Sequence, residues 1–158
     1  LASIAIVLFT RLLLVALFLP FSALDKVVNF KAAVGQAGKG VSKPVFATSL
    51  IVIGFTVEVL MSLAIVTGIA DRLAAFILAG YCGVTALLWK QFWTRPDFRL
   101  VGPSQGREVF WDFLKNLAVA GGFLLLAFGT DSAGVQRFFL DPLASSHPYA
   151  VRTVGTNG

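Results

Sequence analysis

Charge is scarce in this sequence: 13% of its 158 residues are Asp, Glu, Lys or Arg, while 57% are hydrophobic. Soluble domains carry about a quarter charged residues, so an ordinary water-facing surface is excluded. Tyrosine is rare, two against fifteen phenylalanines, and Phe is the aromatic with no polar handle to satisfy in an apolar medium. The single cysteine, Cys82, sits in an apolar run. It excludes an internal disulfide and any cysteine cluster for zinc or iron–sulfur, and reads as a small packing residue. The single histidine, His147, excludes a bis-histidine haem site; beside Ser145, Ser146 and Pro148 it reads as a solvated loop residue. No glycine-rich phosphate motif stands between a strand and a helix. No metal site and no intrinsic cofactor are therefore expected, and the chain alone is not expected to run a redox reaction. The net charge of +5 is scattered between apolar segments rather than drawn into a stripe, which excludes nucleic acid as the partner.

What remains is apolar length. Residues 1–24, 45–67, 73–93 and 109–129 form four runs long enough to cross a bilayer, which takes about 20 residues at ~1.5 Å rise each. The first run lacks the charged leader and the small-residue cleavage site of a signal peptide. Pro44 suits the first turn of the second helix, Gly68 its C-terminal cap, and Asp71 the N-terminal cap of the third. Residues 68–71 are too few to join helices two and three except as a hairpin. The expected fold is all-α, a transmembrane four-helix bundle with antiparallel neighbouring helices. It comprises one domain, residues 1–141, and a flexible tail, residues 142–158. In the first loop Val27, Phe30 and Val34 recur at helical spacing, as in a short interfacial helix. The third loop, TRPDFRLVGPSQGRE, is broken by Pro96, Gly102, Pro103 and Gly106 and reads as irregular. Phe138, Phe139 and Leu140 form an apolar patch expected to rest on the membrane face.

Loops one and three carry Lys26, Lys31, Lys39, Lys43, Lys90, Arg95, Arg99 and Arg107, against Arg72, Arg137 and Arg152 on the other side. The excess places loops one and three in the cytoplasm and both termini outside.

An ionisable residue deep in a bilayer is normally paired, water-exposed or functional. Arg11 lies 14 residues before Asp25 and Glu58 lies 14 residues after Pro44, so each is ~21 Å from the loop-one boundary. Equal depth suggests an intramembrane ion pair between Arg11 and Glu58. It reads either as a structural pair or as part of a proton path or quinone site. In FWDFLKNLAVAGG, residues 110–122, Asp112 and Lys115 share one helix face within snorkelling reach of water, while Asn116 calls for a partner on another helix. With Glu108 and Trp111 they outline a polar vestibule. Trp89, Trp93 and Trp111 suit the headgroup layer as interface aromatics. Ala75, Ala79 and Gly83 form a small-residue stripe, and Gly121 with Gly122 permits close approach, either within the bundle or to another subunit.

These pieces resemble the DoxX family of small four-helix integral membrane proteins over residues 11–141. The resemblance is carried by RLLLVALFLPFSALDKVVNF, Glu58, TGIADRLAA, LLWKQFW, and FLKNLAVAGGFLLLAFG followed by FFLD. The chain carries Lys90 where the family pattern F-H-x-F-W has histidine, so no role of that imidazole transfers. Carried over by position, the family pattern points to Arg11, Glu58, Lys115 and Asn116. The resemblance implies a bacterial cytoplasmic membrane protein. Some relatives are, or resemble, the membrane subunit of a thiosulfate:quinone oxidoreductase, and others are linked to membrane oxidoreductase assemblies or oxidative-stress responses. The expected function is an accessory or anchoring subunit of a larger respiratory or other redox complex, with the bilayer and other membrane subunits as partners. The alternatives are a quinone-reactive subunit of an oxidoreductase, and a small transporter or lipid-binding protein. The expected ligand is a quinone or a bound lipid.

Overall fold

The structure, a computed structural model, describes residues 1–38 and 44–150. Lys39, Gly40 and Lys43 of loop one, and the expected disorder of residues 151–158, lie outside the described residues. Among the described residues every regular element is helical: α1 (Ala2–Val15), α2 (Ala23–Val28), α3 (Phe30–Gly38), α4 (Pro44–Thr67), α5 (Asp71–Trp89), α6 (Gln105–Phe128) and α7 (Ser132–Leu140). Four stretches are long and apolar enough to cross a membrane: Ala2–Val28, Val45–Thr67, Asp71–Thr94 and Gln105–Phe128. The protein is a multi-pass membrane protein with helical spans, the form that pairs most backbone polar groups within one segment in a hydrocarbon medium.

The first span is not the straight helix expected over residues 1–24. α1 and α2 are joined through a kinked segment, Leu17–Ser22, in which Leu19 is extended (φ −125°, ψ 110°) and the Leu19–Pro20 peptide is cis. Proline lacks the N–H that would continue the ladder and disfavours helical geometry in the residue before it. The span then runs on to Val28, so Asp25 and Lys26 belong to it rather than to the loop. After a break at Asn29 the chain continues as α3, which packs on α4.

The core gathers around α5, which packs against both α4 and α6. Its inward face is small, with Ala74, Ala75, Ala79, Cys82 and Ala86 buried beside Leu78. The larger side chains arrive from the neighbours: Val15 and Phe18 from the first span, Ile65 from α4, Phe123 from α6. Phe18 meets Tyr81 edge-on at 6.2 Å between ring centroids and lies 5.7 Å from Phe123. Outward faces are apolar, including Phe9, Leu13, Phe21, Ile53 and Leu125, as expected of surfaces solvated by lipid.

α7 was not foreseen as a helix. Asp131 caps it by accepting from the Gly134 N–H at 2.5 Å. A Cβ on Gly134 would stand 1.8 Å from the Phe128 carbonyl oxygen, so only glycine lets α7 turn back this tightly on α6. The Phe138–Leu140 patch is divided: Phe138 is buried against Phe76 and Phe128, while Phe139 and Leu140 stay exposed.

Loop three is an ordered structure. Ser104 caps α6 by accepting from the Arg107 N–H at 3.1 Å, and the Asp97 carboxylate accepts from Gln105 N–H at 2.6 Å and Gly106 N–H at 3.2 Å. These bonds, that from Gly106 foremost, hold the Asp97 carboxyl below its ordinary value of 3.8. A depressed folded pKa means that the cap's contribution is present above the ordinary aspartate range and is lost as pH falls through the folded value. In detergent, Asp97→Asn should therefore unfold at a lower temperature than the wild type at about pH 6, with the difference shrinking as pH falls below the ordinary aspartate value of 3.8. Thermal melts across that range check it.

Candidate functional site

Glu58 lies in the middle of α4 with 2% of its surface exposed. Both carboxylate oxygens accept from Lys26 Nζ at 2.8 Å, and Oε1 also accepts from the Tyr81 hydroxyl at 2.8 Å. Lys26 makes a further bond to Ser22 Oγ, one turn earlier, at 2.6 Å. A buried charge needs such a set of partners, because the medium offers none. The sequence of α4 makes room for it: Gly54 lies one turn before Glu58, and a Cβ there would be 3.0 Å from the Tyr81 hydroxyl oxygen.

Lys26 and Tyr81 both line a cavity of about 430 Å³, a size within the usual range for small-molecule pockets. Asp25, Asn29 and Gln36 border it from α2, the break and α3. Leu50 and Ile51 supply an apolar wall from α4, with Trp89, Lys90 and Asn116 on the remaining side. The cavity therefore joins amide and ammonium groups to an indole and an aliphatic surface.

The expected Arg11–Glu58 pair is not formed. Arg11, 4% exposed, donates from Nη2 to Asp71 Oδ2 at 2.6 Å and to Ser146 Oγ at 2.7 Å, and from Nη1 to the Ile65 carbonyl at 2.5 Å. The depth count failed for a physical reason. It assumed ~1.5 Å of rise per residue from Asp25, whereas the span continues beyond Asp25 and contains an extended residue, which advances ~3.3 Å. Arg11 thus reaches the α4–α5 turn, and Lys26, counted among the loop charges, takes Glu58.

Asp71 is corrected with it. It does not cap α5; its carboxylate is fully buried and accepts from Arg11, from the Ser146 hydroxyl at 2.5 Å and from the Ser146 N–H at 2.9 Å. The segment expected to be a flexible tail from residue 142 is, through residue 150, a strap across this turn. Ser145 donates to the Gly68 carbonyl at 2.6 Å and Tyr149 donates to the Val66 carbonyl. Gly68 has φ +80°, and a Cβ there would lie 2.8 Å from Pro148 Cγ. His147 is exposed beside these contacts.

At the cavity's rim Lys90 Nζ bonds Asp112 Oδ2 at 2.9 Å, joining α5 to α6, and Lys115, itself exposed, approaches Asp112 Oδ1 at 3.5 Å. Asn116 was expected to bond another helix; instead its amide donates to the Asp112 carbonyl of its own helix at 2.9 Å, while its side chain borders the cavity. Of the vestibule residues, Asp112 and Lys115 meet through their side chains, and Asn116 bonds only the Asp112 backbone. Trp93 and Trp111 are half exposed in an aromatic cluster with Phe92, Phe98, Phe110 and Phe113, whereas Trp89 turns toward the cavity. Of the small residues, Ala75 and Ala79 are buried in the core, Gly122 lies against Leu14, and nothing stands near Gly83 or Gly121.

Lys26 and Tyr81 are the site residues the sequence reading missed. Lys26 follows Ser22 by one helical turn, a hint that the helix continues past Asp25, and Gly54 one turn from Glu58 hints at a bulky neighbour.

Four apolar spans carrying buried, paired charges, with a cavity of mixed polar and apolar lining among α2, α3, α4, α5 and α6, define a small polytopic membrane protein with a ligand-sized site. Residues 6–91, just over half of the chain, match the model of the DoxX family, and the chain belongs to that family. The match takes in Arg11, Lys26, Glu58, Asp71 and Tyr81; FLKNLAVAGGFLLLAFG and FFLD lie beyond it. Comparison with curated proteins and with solved structures finds no match.

Proposed function

We propose that this chain is a membrane subunit of a larger redox assembly and that it receives the head group of a quinone in the cavity beside Lys26 and Tyr81. The observation that carries this reading is the buried Glu58 carboxylate, bonded to both of those cavity-lining residues. A quinone head is flat, has a carbonyl oxygen at each end and carries a long apolar tail. Polar donors at the cavity's edge, the Trp89 ring and the Leu50–Ile51 wall meet those three requirements. When bound, the quinone supplies the capacity to take up two electrons and two protons. Beside it, Lys26 and Tyr81 carry exchangeable protons, and the Glu58 carboxylate accepts hydrogen bonds from both. With one histidine and one cysteine in the chain, the electron-carrying groups belong to a partner subunit. The assembly lies in the bacterial cytoplasmic membrane, with loops one and three inside. Lys26, now assigned to the membrane, leaves the charge count without reversing it.

Purification in mild detergent tests both halves. A stoichiometric partner carrying haem, flavin or copper should accompany the chain, and a short-tailed ubiquinone or menaquinone analogue should quench tryptophan fluorescence saturably, with Trp89 as the reporter. An isolated bundle whose fluorescence falls only in proportion to the quencher contradicts the reading. Retained phospholipid that no quinone displaces would assign the cavity to lipid.

A further inference from the structure

Loop three carries a second surface, separate from the cavity and independent of the quinone reading. Only residues 95–104 lie between the spans Asp71–Thr94 and Gln105–Phe128, so the loop cannot leave the membrane surface. It is held down firmly. Phe98 packs on Phe92 at 5.2 Å and on Phe110 at 5.8 Å between ring centroids. The chain approaches α6 so closely that a Cβ on Gly106 would stand 2.8 Å from Phe98 Cα. On this rigid frame Leu100 is 66% exposed and Val101 84% exposed, adjacent apolar side chains at the loop's tip.

Two arginines flank that tip and are aimed by the loop's own carbonyls. Arg99 donates from Nε and Nη2 to the Pro103 carbonyl at 3.1 and 2.7 Å, and Arg107 donates from Nη1 to the Leu100 carbonyl at 3.3 Å. A guanidinium has five N–H donors, so most of them remain available on each. Arg95 stands at the loop's start. Among the described residues none of the three is ion-paired. The loop's own acid, Asp97, turns its carboxylate to the α6 backbone, leaving Glu108 as the acidic residue nearest in sequence to Arg107.

We propose that this loop is a binding surface for anionic phospholipid: Leu100 and Val101 enter the acyl boundary while Arg95, Arg99 and Arg107 take the phosphate head groups. The occupant follows from charge and position. Unpaired guanidinium forks match phosphate oxygens, and exposed aliphatic side chains tied to the bilayer surface meet lipid before any soluble partner. Zwitterionic lipid offers the same phosphate with a cancelling cation, so the surface should discriminate.

Native mass spectrometry of the full chain in detergent, supplemented with phosphatidylglycerol or phosphatidylcholine, tests it. The wild type should retain phosphatidylglycerol at least about tenfold over phosphatidylcholine. The triple variant Arg95→Gln, Arg99→Gln, Arg107→Gln should lose that preference, and the corresponding triple lysine variant should keep most of it. Leu100→Ser with Val101→Ser should lower retention of both lipids. An unchanged melting temperature in each variant shows that the fold persists. Equal retention of the two lipids by the wild type overturns the proposal, as does a glutamine variant that keeps the preference. A protein that binds the wild type in phosphatidylcholine micelles and is lost with the arginines also overturns it.

Discussion

Replacing Arg11 with leucine should cost about 3–5 kcal/mol, the usual consequence of leaving one member of a buried ion pair without its partner. Asp71 is fully buried and takes Arg11 and both donors of Ser146, so its carboxylate would be left in the core with the strap alone. Asp71→Leu should be similarly damaging, because Arg11 would keep only a carbonyl and a hydroxyl. The double replacement should be far milder than the sum of the two, since removing both charges removes the demand for pairing. Unfolding in mixed micelles of a mild detergent and dodecyl sulfate measures the cycle. Additive single effects would show that Arg11 and Asp71 are not coupled. The singles should also free the strap, exposing residues 145–150 to protease while the four spans remain protected.

The second large effect is expected at Glu58, where stability and binding separate. Glu58→Ala leaves Lys26 Nζ with only Ser22 as a partner and the Tyr81 hydroxyl with none of its bonds to the carboxylate. The cost should fall near the lower end of the same range, about 3 kcal/mol, because Lys26 borders the cavity and its side chain is 14% exposed. Lys26→Met combined with Glu58→Leu should restore much of the stability while weakening quinone binding by about tenfold or more, because the cavity has then lost the ammonium that borders it and the carboxylate that orients Tyr81. A double variant that is stable and binds quinone like the wild type would reduce the cluster to packing. Glu58→Gln isolates the charge: it keeps an acceptor for Tyr81 but no carboxylate for Lys26.

The two clusters show where sequence reasoning works in such a chain. Length and hydropathy place the spans well: 45–67 shares its end with α4 and starts one residue later, and 109–129 starts four residues after α6 and ends one beyond it. The residues costly to bury, Arg11 and Glu58, are indeed buried within the protein. Their partners were not legible, because pairing depends on three-dimensional depth and the proline kink at Leu17–Ser22 breaks the even rise by which depth was counted. Asp71 at a turn reads in sequence as a helix cap, and only the fold shows Arg11 and Ser146 converging on it. α7 and the strap were hidden differently. Short mixed segments earn their structure from surfaces that already exist, here the Phe76–Phe128 face and the α4–α5 turn.

The lysine at position 90 belongs to the same picture. Where the family pattern has an imidazole, this chain has an ammonium that ties α5 to Asp112 of α6 at the cavity's rim. The rim is therefore closed on one side by an ion pair that is half exposed and worth little to stability.

The most direct measurement is to find where a quinone sits. An azido-quinone photolabel applied to the protein in native membranes, followed by peptide mass spectrometry, should mark residues 25–37 of the α2–α3 region and residues 81–90 of α5, and excess unlabelled quinone should suppress the marking. Labelling spread along the lipid-facing sides of α1 and α4, and not suppressed by competitor, would contradict a quinone site beside Lys26, Glu58 and Tyr81.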